Sequence, residues 1–220
     1  MPGTLYIVST PIGNLADITL RAIETLKSVD LIAAEDTRHT RILLDCYHVS
    51  APMTSYFEYN KIRKTEYLLK VSHEGKSVAL VSDAGTPGIS DPGYKIIRMC
   101  IDSGIPVVPI PGASGLLTAL VASGKPTDQF TFEGFLSNKS IRRKNQLKRL
   151  KEEARTVVLY ESPHRILKLL EDVLEIYGDI DIALARELTK KFEEMRREKV
   201  SEAIAHFKEK APRGEFILVI

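Results

Sequence analysis

The sequence has little of what several common classes of protein require. Only two of its 220 residues are cysteines, Cys46 and Cys100, so a disulfide framework is not indicated and a reducing compartment fits better. The N-terminus has no signal-peptide pattern, and no apolar run approaches the roughly 18 residues of a transmembrane helix. We therefore expect a cytoplasmic protein that makes no membrane contact.

Familiar cofactor and catalytic motifs are also missing. Gly75-Lys76-Ser77 is similar to the end of a phosphate-binding P-loop, but residue 70 is lysine and an apolar run follows instead of a helix. Ser9-Thr-Pro-Ile-Gly-Asn14 lacks the glycine spacing of dinucleotide-binding folds, and no Gly-x-Ser-x-Gly hydrolase elbow occurs. The five histidines are scattered without metal-ligand spacing, so we predict no metal site.

The pattern that is present is an alternation of short apolar runs and helical segments. Apolar residues make up 44% and charged residues 27% of the chain, an ordinary globular mixture. Buried strands are predicted at 5–9, 31–34, 77–81 and 106–110, and apolar residues at helical spacing follow each of them. We predict an α/β fold with a mostly parallel first sheet and a mixed second sheet.

A cluster of helix- and strand-breaking residues, Gly124-Lys-Pro-Thr-Asp128, interrupts this alternation and indicates a linker. We therefore expect two α/β domains, residues 1–123 and residues 124–220. Within the second domain, Lys190 to Lys199 mixes charges of both signs and is predicted to be a solvated surface.

Polar residues gather in four loops that follow the first predicted strands. The loops are Ser9 to Asn14, Ala34 to Thr40, Ser82 to Gly93 and Pro109 to Gly115. Ligands of an open parallel sheet bind beyond the carboxyl ends of its strands, and glycines there let backbone amides approach closely. Because Arg38 is the only lysine or arginine in the four loops, a polyphosphate has little to bind. The loops predict a compact, hydroxyl-bearing ligand without strong negative charge; the alternative is that they are simply tight turns.

The third loop divides into two parts. Asp83 to Thr86 is predicted to form one wall of a cofactor pocket. Gly88 to Gly93 is predicted to serve packing and helix entry, with Asp91 as the N-cap and Pro92 at the first helical position.

The same loops, in this order, resemble those of the tetrapyrrole methylase superfamily of S-adenosylmethionine-dependent methyltransferases. The matching stretches are residues 5–15, 34–38, 82–93, 109–115, 133–136, 160–165, 185–190 and 214–216. Within the superfamily the chain resembles the subgroup that methylates the 2′-hydroxyl of a cytidine in 16S rRNA. Many members of that subgroup carry a further C-terminal helical segment, whereas the sequence here ends with the predicted strand of 215–220.

The resemblance implies a methyltransferase that acts on the small ribosomal subunit, usually as a homodimer, with the cofactor in a cleft between two α/β domains. It also places the S-adenosylmethionine site. Carried over by position, the cofactor-binding residues are Ile12, Asp83, Ala84, Gly85, Thr86, Ser114, Gly115, Tyr160, Leu184 and Glu215.

The chemistry of methyl transfer leaves the catalytic residues open. The main demand is alignment of nucleophile, methyl group and sulfur, although a ribose hydroxyl also benefits from a general base. Carboxylates at strand ends are the candidates, namely Glu35, Asp36, Glu161 and Glu187, and Arg38 and Arg186 could pair with them or hold substrate phosphates. We select Asp36, Arg38 and Glu187 as catalytic candidates, with helix capping as the alternative for Asp36.

One basic segment suits a nucleic acid partner. Residues 138–151 hold seven lysines and arginines and no acid, in a chain whose net charge is only +2. The predicted RNA-binding residues are Lys139, Arg142, Arg143, Lys144 and Lys148. A solvated helix face is the alternative for this segment. For the whole chain, the alternatives are a methyltransferase of tetrapyrrole-type small molecules and a non-catalytic RNA-binding protein.

Overall fold

Strands and helices alternate along most of the chain, as the sequence predicts. The computed structural model describes all residues from 1 to 220. It divides into two units, residues 1–114 and residues 115–220. None of the helices combines the length and the apolar character needed to cross a membrane.

The first unit contains a five-stranded sheet. Its elements are β1 (Leu5–Val8), α1 (Leu20–Ser28), β2 (Leu31–Ala34), α2 (Thr37–Cys46), β3 (Met53–Ser55), α3 (Lys61–His73), β4 (Val78–Val81), α4 (Tyr94–Asp102) and β5 (Val107–Ile110). The strand order is β3-β2-β4-β1-β5, and every neighbouring pair is parallel. The predicted parallel character of the first sheet is confirmed.

Helices cover both faces of this sheet because alternate strand residues point to opposite sides. Leu5, Ile7 and Leu80 pack in a core with residues of α3 and α4. Val8 and Ile32 pack in a second core with residues of α1 and α2. The connections that leave the neighbouring strands β1 and β4 therefore run over opposite faces. Such a switch point marks the usual ligand site at the carboxyl edge of an open α/β sheet.

The second unit contains a mixed sheet, also as predicted. Its elements are α5 (Gly115–Ser123), β6 (Phe130–Phe135), α6 (Ser140–Lys151), β7 (Thr156–Glu161), α7 (Ile166–Tyr177), β8 (Asp181–Arg186), β9 (Glu194–Lys199), α8 (Val200–Glu209) and β10 (Phe216–Val219). The order is β6-β7-β10-β8-β9; β6 and β7 are parallel, and the other neighbouring pairs are antiparallel. Its core includes Leu147, Leu169, Leu184 and Phe216, all nearly inaccessible to solvent.

The division between the units falls at the N-terminal end of α5, whereas the predicted domain boundary after residue 123 falls at its C-terminal end. The reason is that α5 packs against β8, β9 and β10 of the second sheet. The breaker cluster at Gly124 to Asp128 therefore follows a helix that already belongs to the second unit.

No residue from Lys190 to Lys199 is buried, in keeping with the predicted solvated surface, although Glu194–Lys199 also forms the edge strand β9 along β8. One local prediction was wrong. The start of α4 was misplaced: Gly93 is the N-cap, so Asp91 does not cap the helix and Pro92 does not occupy its first turn.

Candidate functional site

Loops meet at the edge of the first sheet where β1 and β4 end. The Thr10 amide donates a hydrogen bond to the Gly85 carbonyl over 2.9 Å, and the Gly85 amide donates to the Thr10 carbonyl over 3.0 Å. The hydroxyls of Ser9 and Thr86 are hydrogen-bonded at 2.8 Å. The two loops therefore form one continuous surface across the switch point.

The other two loops reach the same place. Asp83 Oδ1 accepts a hydrogen bond from the Asp36 amide over 3.1 Å, which ties the loop after β2 to the loop after β4. The loop after β5 approaches β1 so closely that a Cβ on Gly112 would lie 2.9 Å from the Ser9 Cβ. These contacts confirm the predicted convergence of the four loops.

Gly85 lies at the centre of the converging loops. Its backbone has φ +78°, in the left-handed region that favours glycine. A Cβ there would lie 3.5 Å from the Ile12 Cγ2 and 3.8 Å from the Ala113 carbonyl oxygen. Ile12 and Asp83 to Thr86 thus share one surface of the first unit, and Ser114 follows directly after Ala113. Their contact with a cofactor stays a prediction.

A cavity of about 130 Å³ opens beside the loop after β1. It is lined by Thr10, Pro11, Gly13, Asn14, Leu15, His39, Thr40, Ile42, Leu43, Ser82 and Asp83. Of the predicted cofactor residues only Asp83 lines it. Sequence reasoning missed the contribution of α2, because nothing in the pattern of that helix shows which of its residues face the loop.

Asp36 acts as the N-cap of α2. Its Oδ1 accepts a hydrogen bond from the Arg38 amide over 2.8 Å, and its Oδ2 lies 2.7 Å from the Arg38 Nη2. The Arg38 guanidinium and amide hold the pKa of this carboxyl well below its usual range. Since both oxygens are engaged and the carboxyl is a weakened base, the structure favours capping over proton abstraction for Asp36, and ion pairing for Arg38.

Two other carboxyls of this edge have a raised pKa. Burial, followed by the charges of Glu35 and Asp83, raises the pKa of Asp91 to about 7, although a hydrogen bond with Ser82 opposes the shift. Burial also raises the pKa of Glu35. A carboxyl that titrates near neutral pH has the proton affinity of an efficient general base. Sequence reasoning missed this property of Asp91, because the shift depends mainly on burial and on Glu35, which is distant in the chain.

At one end of the second sheet, the strands β6, β7 and β8 end and the strand β10 begins. We call this end the second edge. The Leu116 amide, in the first turn of α5, donates a hydrogen bond to the Tyr160 hydroxyl over 3.1 Å. The rings of Phe132 and Phe135 pack edge-on against Tyr160. Leu184, by contrast, has its side chain in the hydrophobic core.

A lysine joins two glutamates at this second edge. Lys190 Nζ lies 2.9 Å from both Glu187 Oε1 and Glu215 Oε2. Burial tends to raise the pKa of Glu187, but hydrogen bonds from Lys190 and the Glu215 amide outweigh it and lower that pKa. Lys190 was not among the predicted residues, although its spacing of three from Glu187 could have indicated the pair.

Arg186 and Glu161, two further charged residues singled out from the sequence, also have ion-pair partners. Arg186 Nε donates to Glu194 Oε2 over 2.9 Å, so its observed hydrogen-bond partner is a residue of β9 and not one of the carboxylates that were predicted to pair with it. Glu161 is almost fully buried, and burial raises its pKa although the Arg165 guanidinium lies 3.1 Å away.

The basic helix α6 presents fewer free cations than the sequence predicts. The prediction was wrong for Arg143, which is 4% exposed because its Nε binds Asp172 Oδ2 at 2.6 Å inside the unit. Lys144 is half-buried and lies 3.7 Å from Asp172 while also pairing with Glu175. Lys139, Arg142 and Lys148 are exposed, and their side chains form no ion pair. These three remain as candidate RNA contacts.

Comparison with known proteins identifies the class. The family described as Tetrapyrrole (Corrin/Porphyrin) Methylases matches residues 4–204. Solved structures of the same fold include a uroporphyrin-III-C-methyltransferase from Thermus thermophilus, with TM-score 0.70, 21% identity, and coverage of 99% of this chain and 94% of that one. A cobalt precorrin-4 methyltransferase superposes with TM-score 0.73 at 18% identity, covering 98% of this chain and 94% of that one. The chain belongs to the tetrapyrrole methylase family, and the predicted S-adenosylmethionine-dependent methyltransferase is confirmed.

Relatives of higher sequence identity indicate a more specific similarity. A protein of Synechocystis sp. is 52% identical over 99% of this chain and 78% of its own length. A protein of Thermotoga maritima is 51% identical over 99% of this chain and 98% of its own length. A third, from Escherichia coli O157:H7, is 50% identical over 99% of this chain and 77% of its own length. Each of the three is named ribosomal RNA small subunit methyltransferase I.

Proposed function

We propose that the chain transfers a methyl group from S-adenosylmethionine to the 2′-hydroxyl of a cytidine in 16S rRNA. The observation that carries the proposal is the identity of about half of all residues, over nearly the whole chain, with small subunit rRNA methyltransferases of three bacteria. Four of the eight stretches that carry the resemblance include the loops that come together at the edge of the first sheet.

The first unit suits this methyl donor. Ile12 offers an apolar contact and Thr86 offers a half-buried hydroxyl; Ile12 lies beside Gly85, which carries no side chain of its own, and Thr86 is next to Gly85 in the chain. A hydroxyl-bearing nucleoside with little net negative charge can be held by such groups. We propose that Ile12, Asp83 to Thr86 and Ser114 hold the donor; the contributions of Gly115, Tyr160, Leu184 and Glu215 stay predictions. When bound, S-adenosylmethionine supplies a methyl group on an already activated sulfonium.

The chain's own task is then to orient the ribose and accept its proton. The loops after β1 and β4 are fixed to each other by backbone hydrogen bonds, so the groups they carry are preorganised. Asp91 has the proton affinity of a base near neutral pH, whereas Asp36 is occupied by Arg38. We propose Asp91 as a candidate base for the first unit, and Glu187 stays a prediction for the second.

The exposed cations of α6 support an RNA substrate. Lys139, Arg142 and Lys148 are free of acidic partners, and phosphate contacts of this kind supply most of the affinity for nucleic acid. A small carboxylated ring has no need of several separate cations along a helix.

The decisive experiment is methyl transfer from labelled S-adenosylmethionine to 30S subunits and to naked 16S rRNA, with the modified nucleotide mapped. We expect label on one ribose 2′-oxygen of a cytidine. Label on a base would contradict the proposal, as would label on a tetrapyrrole and not on RNA. Failure to bind S-adenosylmethionine in a calorimetric titration would instead favour a non-catalytic RNA-binding protein.

A triple variant tests the RNA surface. Replacing Lys139, Arg142 and Lys148 by alanine should weaken binding to 30S subunits. The slope of log affinity against log salt should fall by about 0.7 to 0.9 for each phosphate that the variant no longer neutralises. The matched control replaces three exposed cations of the first unit, Lys27, Arg41 and Arg63, by alanine. Equal weakening by both triple variants would show that only net charge matters.

The predicted homodimer and the cytoplasmic location belong to the same proposal. Sedimentation equilibrium of the purified chain should give twice the chain mass of 24.6 kDa. A mass of one chain at micromolar concentration would contradict the dimer without affecting the proposed reaction.

A further inference from the structure

The β6–α6 loop, residues 136–139, joins the end of β6 to the start of α6 at the second edge. Because β6 and β7 are parallel, this loop lies at the same end of the sheet as Tyr160. Lys139 on the loop and Arg142 in the first turn of α6 are exposed, and their side chains form no ion pair. No acidic residue occurs from position 138 to position 151, so the partner that the charge favours is one that carries phosphates.

Three side chains hold the backbone of this loop from inside the unit. Arg165 Nη2 donates a hydrogen bond to the Leu136 carbonyl over 2.6 Å. Gln146 Oε1 accepts a hydrogen bond from the Ser137 amide over 2.9 Å. Arg143 Nη1 lies 3.5 Å from the Ser137 carbonyl oxygen. The first half of the loop is therefore fixed by side chains of α6 and by the residue that begins α7.

Each of the two arginines is in turn held by a buried carboxylate. Glu161 is 2% exposed, and its Oε2 lies 3.1 Å from Arg165 Nη2. Asp172 is 6% exposed, and its Oδ2 lies 2.6 Å from Arg143 Nε. Burial raises the pKa of Glu161, and the Ser162 amide and the charges of Arg165 and Arg143 oppose this shift. The two pairs therefore belong to one charge network beneath the loop.

The energetics of this network point away from a purely stabilising role. Buried ion pairs add little to stability compared with well-packed apolar side chains, because it is costly to remove two charges from water. A four-residue connection between a strand and a helix is also of ordinary length and closes without such support. What the two pairs supply is direction, because each carboxylate orients an arginine toward a carbonyl of the loop. A loop that is held in one conformation loses less conformational entropy when it binds a partner.

We propose that Arg165 and Gln146 are positioning residues for RNA binding, which hold the β6–α6 loop so that Lys139 contacts a phosphate of the RNA. The inference rests on the proposed function and extends it to residues that do not touch the RNA themselves. It assigns Glu161 to the orientation of Arg165 and not to the acceptance of the substrate proton.

The test measures the affinity of the full chain for 30S subunits. Arg165→Met and Gln146→Met each remove one hydrogen bond to the loop, and each should weaken the affinity about two- to tenfold. The affinity for S-adenosylmethionine, measured by calorimetry, should stay unchanged in both variants. Gln146→Met leaves no buried charge without a partner, so it provides the test even if Arg165→Met fails to fold.

Arg197→Met is the matched control. Arg197 lies on β9, at the opposite edge of the second sheet from β6, and its Nε donates a hydrogen bond to the Ala122 carbonyl over 3.0 Å. This variant therefore also removes an arginine and its bond to a backbone carbonyl, but away from the β6–α6 loop.

A double-variant cycle with Lys139→Ala separates positioning from a general loss of stability. If Gln146 acts through Lys139, Gln146→Met should weaken 30S binding in the parent chain but change it by less than about twofold in Lys139→Ala. Arg165→Met should show the same coupling, whereas the effect of Arg197→Met should be the same in both backgrounds.

Two results would overturn the inference while leaving the proposed function intact. One is unchanged 30S affinity in Gln146→Met and in any folded Arg165→Met. The other is a loss that adds to that of Lys139→Ala, since an additive loss would mean that the loop does not act through Lys139. If the parent chain itself neither binds 30S subunits nor methylates an RNA ribose, the proposed function fails and the inference fails with it.

Discussion

The loops at the end of the first sheet, where β1 and β4 end, and the residues at the end of the second sheet, where β7 and β8 end, differ in chemical character. In the first unit, loops rich in glycine, serine and threonine are joined by backbone hydrogen bonds such as those between Thr10 and Gly85. In the second, charged side chains neutralise one another, as Lys190 does with Glu187 and Glu215. The difference follows from topology. In a parallel sheet, all loops that follow a strand lie at the same end of the sheet, whereas in a mixed sheet some neighbouring strands run in opposite directions and can be joined by hairpins. The first edge can therefore hold a ligand by shape, and the second is stabilised by internal charge pairs.

We expect the largest effect from a variant that breaks the buried ion pair of the second unit. Asp172→Ala leaves the Arg143 guanidinium, whose side chain is 5% exposed, buried without its partner. We expect the free energy of unfolding to fall by about 3–5 kcal/mol, because an unpaired buried charge keeps its desolvation penalty. Urea denaturation followed by circular dichroism measures the change.

An exposed pair provides the control for this variant. Arg98 and Asp102 pair at 2.9 Å on the surface of α4, with side chains more than half exposed. Arg98→Ala should lower the free energy of unfolding by less than about 1 kcal/mol. Similar losses for Arg98→Ala and Asp172→Ala would mean that burial of the Arg143 pair has no special weight.

The next largest effect is expected when one glycine at each of the two edges is replaced by alanine. Gly112→Ala puts a methyl group 2.9 Å from the Ser9 Cβ and should destabilise the first unit by about 1–3 kcal/mol while weakening S-adenosylmethionine binding. Gly214→Ala forces a side chain at φ +82°, which lowers stability by about 1–2 kcal/mol. Calorimetric titration and urea denaturation of both variants measure the two quantities. Equal donor affinity in Gly112→Ala and the parent chain would show that the loop after β5 does not shape the donor site.

The parallel half of the fold could be predicted from the sequence because its signal is local. The strands β2 and β4 of the first sheet are short runs buried on both faces, so Leu31–Ala34 and Val78–Val81 appear as continuous apolar stretches. The loops that follow such strands must share one edge, and this is why the gathering of Ser9, Asp83 and Gly112 could be foreseen.

The charged half could not be predicted in the same way. β9 is a solvent-accessible edge strand whose alternating Glu194, Arg196 and Glu198 pair with one another, so it lacks the apolar alternation that indicates a strand. Arg143 sits in a basic run, and its burial depends on Asp172 of another helix. The raised pKa of Asp91 likewise depends on burial in the folded chain and on Glu35, which is remote in sequence. Each of these features is set by tertiary contacts.

A smaller effect concerns pH and the first edge. The pKa of Asp91 is raised from the ordinary 3.8 to about 7 in the folded chain. Below about pH 4 the carboxyl is protonated in both states and has no effect on stability. Between about pH 4 and 7 the unfolded chain releases this proton while the folded chain retains it, so the carboxyl increasingly destabilises the fold. Above about pH 7 the destabilisation is constant.

Asp91→Asn removes that dependence. Relative to the parent chain, the variant should gain stability as the pH rises from about 4 to 7, by an amount on the order of 1 kcal/mol once solvent screening is allowed for. Urea midpoints at pH 4, 5, 6, 7 and 8 measure the difference. Asp102→Asn, which replaces an exposed carboxylate of α4, is the control for the loss of a negative charge. If the difference in urea midpoint between Asp91→Asn and the parent chain does not change between pH 4 and 8, Asp91 titrates outside this pH range.

The smallest expected effect separates capping from catalysis at Asp36. Asp36→Asn keeps an oxygen for the Arg38 amide, whereas Asp36→Ala removes the cap of α2 altogether. If the side chain serves as a cap, Asn should preserve both the urea midpoint and the rate of methyl transfer, and Ala should lower the midpoint slightly. If it accepts the substrate proton, both variants should lose methyl transfer while Asn remains as stable as the parent chain. Because Arg38 already occupies both oxygens of Asp36, we expect the first result, which would leave Asp91 as the titrating carboxyl of the first edge.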